Sequence, residues 1–468
     1  MRDMTEEQTN ISETMDTKMS ETTGINVPAL ENEIGINLYS TTTAGVSGVL
    51  RYQPTDFIVR EISNYPYEEN DVIDKNRKYL MVEVTKENWD TNHFLKAYSS
   101  ALGISHKRIT YAGTKDKRAV TVQKMSLYDV TKEQVENVHL KDVSVRVLGR
   151  SQQPIGLGDL EGNQFQIVIR NIDLPEAEAK AAAEKTTADI LKAGGVPNFF
   201  GIQRFGSRRP VTHHVGEDLL KGDLEKAILR YVSEVYPDEP EETKNVRRYI
   251  AETNDFKGGV LQFPDYLGHE KALLNHLIAR PGDFKGAFMV LPKNLYTMFI
   301  HAYQSWLFNR IICERLKNGL SLNQAVVGDI VCYRAKDKTP DPSRLEKVDE
   351  DNIDGINGLL KRGRAFITAP LFGSVTPFAD GIPGEIECRL IEETGFTPED
   401  FKMPAFPEVA SKGLRKEILL EVEPNVLVAA DDLNEGKTKL TLEFKLPKGS
   451  YATTVLREYM KTNPLNMS

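Results

Sequence analysis

The pattern of apolar and polar side chains divides the chain into predicted strands and helices. Strands are predicted where the two kinds alternate, at 57–62, 79–85, 143–148, 165–170, 418–424 and 438–447. Helices are predicted where apolar residues recur at helical spacing, or where proline opens and glycine closes a run, at 90–102, 175–194, 294–316 and 451–460. Pro, Gly and Asp predict irregular structure at 337–358 and 370–384. This mixture of elements indicates an α+β fold.

The character of the chain changes along its length, which predicts a terminal tail and a second domain. Residues 1–40 hold eight acids and two bases, with few aromatic residues and no sustained period, so we expect a disordered acidic tail. Beyond about residue 215 helical stretches replace the strands, and strand-like sequence returns near residue 418. We therefore expect a second domain to begin near residue 215.

Composition limits the class of protein. The length of 468 residues corresponds to two or three domains, and 40% hydrophobic with 27% charged residues is the balance of an ordinary globular chain. No apolar run is long enough for a membrane span, and the amino terminus lacks the pattern of a secretory signal. The cysteines Cys313, Cys332 and Cys388 are far apart and odd in number, so we predict no disulfide framework and expect a cytoplasmic location.

Positive charge is concentrated in one segment, although the whole chain has a net charge of −9. Residues 96–124 carry seven Lys or Arg residues against the single acid Asp116, a local charge of +6. Clustered cations drive polyanion binding, because each neutralised phosphate releases condensed counterions. The segment therefore indicates a polyanionic partner, and the alternative interpretation is a solvated charged face.

Asp116 is a candidate for chemistry. It lies in GTKDKR, on a glycine-containing loop predicted between two strands, with Lys115 and Lys117 on either side and Arg118 beside them. Neighbouring cations favour the charged carboxylate and lower its pKa, and an ionised carboxylate among phosphate-binding side chains is suited to nucleophilic attack on a bound nucleotide. The structural alternative is a tight turn in which the aspartate caps a backbone N–H or pairs with its neighbours.

A second cluster, residues 195–214, interleaves three arginines, two histidines and three phenylalanines without an acid. Such side chains can stack a base and hold its phosphate, although the phenylalanines could equally be core residues. We expect His213 and His214 to be phosphate contacts or surface residues, because no further His or Cys set has metal-ligand spacing. No metal and no cofactor is assigned. Kinase, zinc-protease and esterase motifs are absent from the sequence.

An ordered series of sequence blocks resembles the TruD-type tRNA pseudouridine synthases. The blocks are GVLRYQPTDFIVRE (48–61), YAGTKDKRAVTVQ (111–123), LGDLEGNQF (157–165), GVPNFFGIQRFG (195–206), AYQSWLFN (302–309) and GSYATTVLRE (449–458). They follow the family's order across nearly all of the chain outside the tail. The resemblance implies isomerisation of a uridine in RNA, in which the N-glycosidic bond breaks, the uracil turns and a C–C bond to the ribose forms. It implies neither a cofactor nor a metal.

The same resemblance implies roles for individual residues. Asp116 is the catalytic carboxylate, which either attacks the base or assists formation of a glycal, and Arg51 pairs with it. Phe200 packs against the target base, and Asn198 is an amide of its pocket. Further residues expected at the substrate are Lys115, Lys117, Arg118, Arg204 and Glu61.

The resemblance also implies an architecture and a partner. A core of mixed, mainly antiparallel sheet flanked by helices is expected at 41–223 and 411–463, interrupted by an inserted second α/β domain at 224–410. The expected substrate is tRNA, at uridine-13 of the D stem, whose base must be flipped out of its stack. We expect a monomer. Two other classes stay open: a non-catalytic tRNA-binding or chaperone protein, which would leave uridine unmodified, and an enzyme of small nucleotides, which would bind free UMP tightly.

Overall fold

A computed structural model describes residues 25–69, 77–335 and 340–467. The first 24 residues of the expected tail lie outside these ranges. Its described part contains a helix at Ala29–Glu33, after which Ile34 and Ile36 are buried in a hydrophobic core. The expected disorder is therefore wrong for residues 25–40, because their few apolar side chains find partners in a distant part of the chain.

Strands dominate the first and last parts of the chain, and helices dominate its middle. In chain order the strands are β1 Val49–Leu50, β2 Phe57–Ile62, β3 Tyr79–Glu87, β4 Ile109–Tyr111, β5 Val120–Tyr128, β6 Val143–Ser151, β7 Gly162–Ile172, β8 Val196–Pro197, β9 Ile330–Arg334, β10 Pro340–Lys347, β11 Ala365–Leu371, β12 Leu414–Glu417, β13 Leu419–Leu420, β14 Asn425–Ala430 and β15 Thr438–Pro447. In chain order the helices are α1 Ala29–Glu33, α2 Thr91–Ala101, α3 Lys132–Glu136, α4 Glu176–Ala193, α5 Thr212–Leu220, α6 Leu224–Ser233, α7 Glu241–Thr253, α8 Phe256–Gln262, α9 Gly268–Ala279, α10 Phe284–Met289, α11 Lys293–Lys317, α12 Ile353–Lys361, α13 Gly381–Glu392 and α14 Ala452–Met460.

The described residues form two compact units. The unit that we call the sheet unit comprises residues 43–195, 421–462 and 466–467. The unit that we call the helical unit comprises residues 25–42, 196–420 and 463–465.

The sheet unit is built on one mixed sheet, with the strand order β14-β15-β7-β2-β5-β3-β6, β1 on β7 and β4 on β5. Its pairings are antiparallel except that of β2 with β5. Helix α2 begins where predicted, because the Asp90 side chain accepts from the His93 amide at 3.0 Å. Its Phe94 and Tyr98 are fully buried in a core with β3 and β5. The predicted α+β fold with a mainly antiparallel sheet is confirmed.

The helical unit is organised around the long helix α11, whose buried residues include Phe299 and Phe308. It also holds a four-stranded sheet within the described residues, in the order β10-β9-β11-β12. The unit begins at residue 196, against the predicted boundary at 223/224, because α5 packs closely on α11. A Cβ at Gly216 of α5 would clash with the Phe299 carbonyl oxygen, so only glycine allows this approach. Among the described helices, none is long and apolar enough to cross a membrane.

Two local predictions are corrected by the structure. The segment 337–358, predicted to be irregular, contains β10 and the start of α12 in its described part. The predicted strand at 418–424 is reduced to β13, and the next strand begins at Asn425. Both β10 and β14 are edge strands that gain their hydrogen bonds from a single neighbour. Strand pairing of this kind overrides weak local propensity.

Candidate active site

The loop between β4 and β5 presents Asp116 at the surface of the sheet unit. The Asp116 side chain is 41% exposed, and its Oδ1 accepts from Arg51 Nη2 at 3.0 Å. Arg51 is only 11% exposed and lies over the Phe57 ring, with its guanidinium carbon 4.2 Å from the centroid. Its backbone is in the left-handed region, with φ of +52°, a strained conformation of the kind that clusters at functional sites. The structure thus contains the predicted pair.

Buried charges anchor the turn that follows Arg51. Asp56 ends this turn, and its Oδ1 accepts from Arg170 Nε at 2.9 Å. The same guanidinium donates through Nη1 to Asp431 at 2.7 Å and to Asp432 at 2.8 Å. One arginine therefore joins the turn after Arg51 to the distant hairpin of β14 and β15.

Lys115, next to Asp116, points into the sheet unit. Its Nζ lies 3.1 Å from Glu61 Oε2, and the two side chains are 5% and 1% exposed. The Thr91 hydroxyl accepts from the Lys115 amide at 3.0 Å. Lys115 and Glu61 were expected to contact substrate, and their burial instead suits them to hold the loop. Of the other predicted cations, Lys117 and Arg118 are exposed.

A polar face of the sheet lies beside this ion pair. The register of β2 with β5 and β7 puts Glu61, Gln123 and Asn163 on one face. Gln123 donates to the Gly113 carbonyl of the Asp116 loop at 3.3 Å. Among the described residues, the buried oxygens without a hydrogen-bond partner include those of Thr121, Gln123 and Asn163 and Oε1 of Glu61. Buried polar atoms require a partner, so this face is suited to a polar ligand or to water.

A lysine that the sequence did not single out supports the same loop. Lys86 is fully buried in β3, and its Nζ donates to the Trp89 carbonyl at 2.7 Å. Burial lowers the pKa of Lys86 to about 8, although the charges of Asp90 and Asp116 act in the opposite direction. Lys86 holds the turn that carries Thr91, and the period-two pattern of β3, which places residue 86 inward, is the signal that could have found it.

Phe200 is the centre of a second cluster, in the helical unit. Its amide donates to Asn309 Oδ1 at 2.9 Å, and its carbonyl accepts from Asn309 Nδ2 at 3.0 Å. The ring is partly buried, with the Arg204 guanidinium 5.5 Å and Lys416 Nζ 5.4 Å from its centroid. Asn198 is buried and donates to a carbonyl of β12 at 3.0 Å. A clamped aromatic ring between two cations is suited to stacking on a base.

Sequence reasoning missed Asn309 and Lys416. Asn309 closes the block AYQSWLFN, and its helical position could have marked it as an inward polar residue of α11. No sequence pattern marked Lys416. Contacts between distant segments bury its ammonium group, and this burial lowers its pKa. Of the neighbouring phenylalanines, Phe199 and Phe205 are core residues.

The prediction for His213 is wrong. It was expected at the surface or on a phosphate, and it is buried, with Phe205 edge-on and Trp306 nearly parallel to its ring. The adjacent His214 is half-buried and pairs with Glu33 at 2.8 Å. Helical spacing in α5 turns the first histidine toward α11 and the second toward α1.

The predicted site residues fall into two groups. The sheet unit holds Asp116, Arg51, Lys115, Lys117, Arg118 and Glu61, and the helical unit holds Phe200, Asn198 and Arg204. In the first group an exposed carboxylate oxygen lies among cations, which suits it to act as a nucleophile or proton acceptor on an anionic substrate. In the second group an aromatic ring and cations lie together, an arrangement suited to stacking on a base.

An exposed aspartate paired with an arginine among cations, in one unit, and an aromatic ring with two cations near it, in the other, are features suited to an α+β protein that acts on a nucleic acid. The family described as "TruD: tRNA pseudouridine synthase D (TruD)" matches residues 33–459. This chain belongs to the TruD family of tRNA pseudouridine synthases, which are isomerases. The family predicted from the sequence blocks is confirmed.

Individual relatives are similar over almost their whole length. A protein of Methanosarcina mazei named "Probable tRNA pseudouridine synthase D" is 55% identical over 442 residues, which is 94% of this chain and 100% of the relative. One of the same name from Halobacterium salinarum is 39% identical over 441 residues, 93% of this chain and 98% of the relative. The crystal structure of a Methanosarcina mazei protein described as "Putative tRNA pseudouridine synthase D (TruD)" superposes with a TM-score of 0.87 at 55% identity, and the match covers 94% of this chain and 100% of that one.

Proposed function

We propose that this chain converts uridine-13 in the D stem of tRNA to pseudouridine, and that Asp116 is the carboxylate that acts on the substrate. The observation that carries the proposal is the Asp116–Arg51 ion pair on an exposed loop rich in cations. The reaction is an isomerisation: the bond from the ribose to N1 breaks, the bond to C5 forms, C5 loses a proton and N1 gains one. Its atoms balance without a cofactor.

The geometry of the carboxylate supports this role. Arg51 holds Oδ1, and no other hydrogen bond to the Asp116 side chain occurs within the described ranges. The second oxygen is therefore available to a substrate, either to attack the uracil or to assist formation of a glycal by taking a ribose proton. A carboxylate held by one arginine keeps its orientation when the base is flipped out of its stack and approaches.

The remaining predicted residues divide between binding and positioning. Lys117 and Arg118 are exposed beside Asp116 and are assigned to phosphates of the RNA. Phe200, Asn198 and Arg204 are assigned to the target nucleotide, on the match to the family's block and on the partly buried ring with its two cations. Lys115 and Glu61 are assigned to positioning the Asp116 loop, because their ion pair is buried.

Replacement of the carboxylate by an amide tests the assignment of Asp116. Purified Asp116→Asn protein should lose activity by a factor of about 10³ or more, since a group that acts covalently or as a base is removed. Pseudouridine is read on a tRNA transcript by carbodiimide-stopped reverse transcription, and tRNA binding, which should stay within a few-fold of wild type, by gel shift. The control is Asp129→Asn, which changes an exposed aspartate that also lies near an arginine, Arg108. Turnover by Asp116→Asn within tenfold of wild type would contradict the proposal.

The position of the target is tested separately. The same assay maps the modified nucleotide, and changing uridine-13 to cytidine should abolish the product without preventing binding. Modification at a different uridine would contradict the position while leaving the reaction intact. If tRNA stays unmodified after incubation with the wild-type protein, the result would instead favour the alternative function of a tRNA-binding or chaperone protein.

A further inference from the structure

Glu33, His213 and His214 come together in the helical unit. Glu33 ends α1, and the two histidines lie in the first turn of α5. One ligand atom from each residue can be chosen so that all three lie within 4.8 Å of one another. His214 Nε2 is already 2.8 Å from Glu33 Oε1. Two imidazoles and a carboxylate, up to 181 residues apart in the chain, thus have ligand atoms close to one another.

The imidazole of His213 is buried without a hydrogen bond of normal geometry. The residue is 2% exposed, neither ring nitrogen meets the distance and angle of a hydrogen bond in the described part of the chain, and the nearest polar backbone group is that of Glu33. Its ring contacts with Phe205 and Trp306 are contacts that a phenylalanine would make equally well. A buried polar group without a partner costs free energy, so its presence requires an explanation.

We propose that Glu33, His213 and His214 bind one divalent transition metal ion of the zinc type. Two imidazole nitrogens and one carboxylate oxygen are a ligand set that suits Zn²⁺, whereas Mg²⁺ and Ca²⁺ prefer oxygen ligands. Metal bonds of about 2.0–2.2 Å put tetrahedral ligand atoms roughly 3.4 Å apart. The three atoms lie within 4.8 Å of one another, and the His214 and Glu33 side chains are 29% and 40% exposed, which leaves them room to adjust to that spacing.

The surroundings of the site support a bound cation. Glu217 Oε2 lies 4.0 Å from His214 Nδ1, on the side of the ring away from Glu33, where a carboxylate orients a metal-bound histidine. Partial exposure of Glu33 and His214 provides a path of entry from solvent. The metal would join α1 to α5, and the next residue after Glu33, Ile34, accepts from Asn309 Nδ2 at 2.9 Å. The role is structural and is independent of the proposed function.

Metal binding is measured on the full-length, untagged protein stripped with a chelator. Titration with Zn²⁺ against a chromophoric chelator should give one ion per chain, and saturation should raise the thermal midpoint by roughly 2 °C or more. Co²⁺ in place of Zn²⁺ should give a tetrahedral visible spectrum without a thiolate charge-transfer band, which excludes the cysteines as ligands. Pseudouridine formation by the stripped protein should persist.

Three variants decide the assignment. Glu33→Gln and His214→Gln keep half-exposed polar side chains, and His213→Phe keeps the buried ring, so all three retain packing while removing a ligand. Each should lower bound Zn²⁺ at least tenfold and abolish the thermal shift. His276→Ala removes a histidine that pairs with Asp283 at 2.9 Å, and it should bind Zn²⁺ as wild type does. Absence of stoichiometric binding by wild-type protein, or undiminished binding by the three variants, would overturn the proposal.

Discussion

Two loops carry the candidate site residues, and they are held in different ways. The Asp116 loop rests on charges: Lys115 pairs with buried Glu61, and Arg51 pairs with Asp116 itself. The Phe200 loop rests on a neutral amide, because Asn309 both accepts from the Phe200 amide and donates to its carbonyl. The first arrangement depends on the protonation state of carboxylates, and the second does not.

The difference indicates how each loop suits its task. A carboxylate that acts on a substrate must keep its direction, and an ion pair with the nearly buried Arg51 guanidinium provides it. A stacking ring needs only position, which two hydrogen bonds to the backbone supply without an ionisable group. The two arrangements should therefore respond differently to substitution and to pH.

Breaking the ionic support should cost the most stability. Lys115→Met leaves the Glu61 carboxylate buried and unpaired, so the free energy of unfolding should fall by about 3–5 kcal/mol in urea titrations. The double variant with Glu61→Met removes both charges and should recover most of the loss. Lys132→Met, in an exposed pair with Glu136, is the control and should change stability by less than about 0.5 kcal/mol. A loss below about 1 kcal/mol for Lys115→Met would show that the buried pair does not support the loop.

Removing the amide clamp should have the next largest effect. Asn309→Leu preserves side-chain volume but leaves the backbone groups of Phe200 without partners, at a cost of about 2–3 kcal/mol. The rate of hydrogen exchange at the Phe200 amide should rise by the factor that corresponds to this loss of free energy. Asn318→Leu, which removes an exposed amide at the end of the same helix, should leave that exchange unchanged. Unaltered exchange in Asn309→Leu would contradict the clamp.

The buried charges that anchor the turn after Arg51 predict that the protein loses stability in acid. Burial acts to raise the pKa of Asp431, but hydrogen bonds from the Asn171 amide, from its own turn and from Arg170 outweigh it and lower the pKa to about 2. Because this pKa lies below the ordinary value of 3.8, the stabilisation is complete above about pH 4 and disappears as the pH falls to about 2. It amounts to about 2 kcal/mol.

Comparison of Asp431→Asn with wild type tests this sensitivity. The variant should be less stable than wild type at pH 5, and the gap should close on acidification toward pH 2, as measured by urea titration at each pH. Asp173→Asn changes an exposed aspartate that pairs with Lys437, and it should show a much smaller pH dependence. A difference in unfolding free energy between wild type and Asp431→Asn that stays constant with pH would contradict stabilisation by the charge of Asp431.

The smallest effect concerns the Thr91 hydroxyl, which supports the Asp116 loop. Thr91→Val is nearly isosteric and removes the acceptor of the Lys115 amide, so unfolding free energy should fall by about 1 kcal/mol. The pseudouridine-forming rate should fall several-fold, with KM for tRNA nearly unchanged, because the loop is displaced rather than the RNA contacts. Thr297→Val, on an exposed turn of α11, is the control. A change in KM alone would contradict a positioning role for Thr91.

The sequence by itself determined the family, the reaction class, the mixed sheet and the pairing of Arg51 with Asp116. The mixed sheet follows from local patterns such as strand alternation and helix caps, whereas the family, the reaction class and the pairing of Arg51 with Asp116 were implied by the resemblance of the ordered blocks. The helix after Asp90 and the helix closed by Gly194 follow from such signals and are present in the structure.

Only the tertiary structure decided which charged and polar groups are buried. Lys115 and Glu61 looked like phosphate and substrate contacts, and 54 positions along the chain separate them, yet they meet inside the sheet unit at 3.1 Å. His213 looked like a surface residue or a phosphate contact, and it is buried beside the carboxylate of Glu33, which is 180 positions away in the chain. Burial is a property of contacts between distant segments, and no local pattern records which segments will meet.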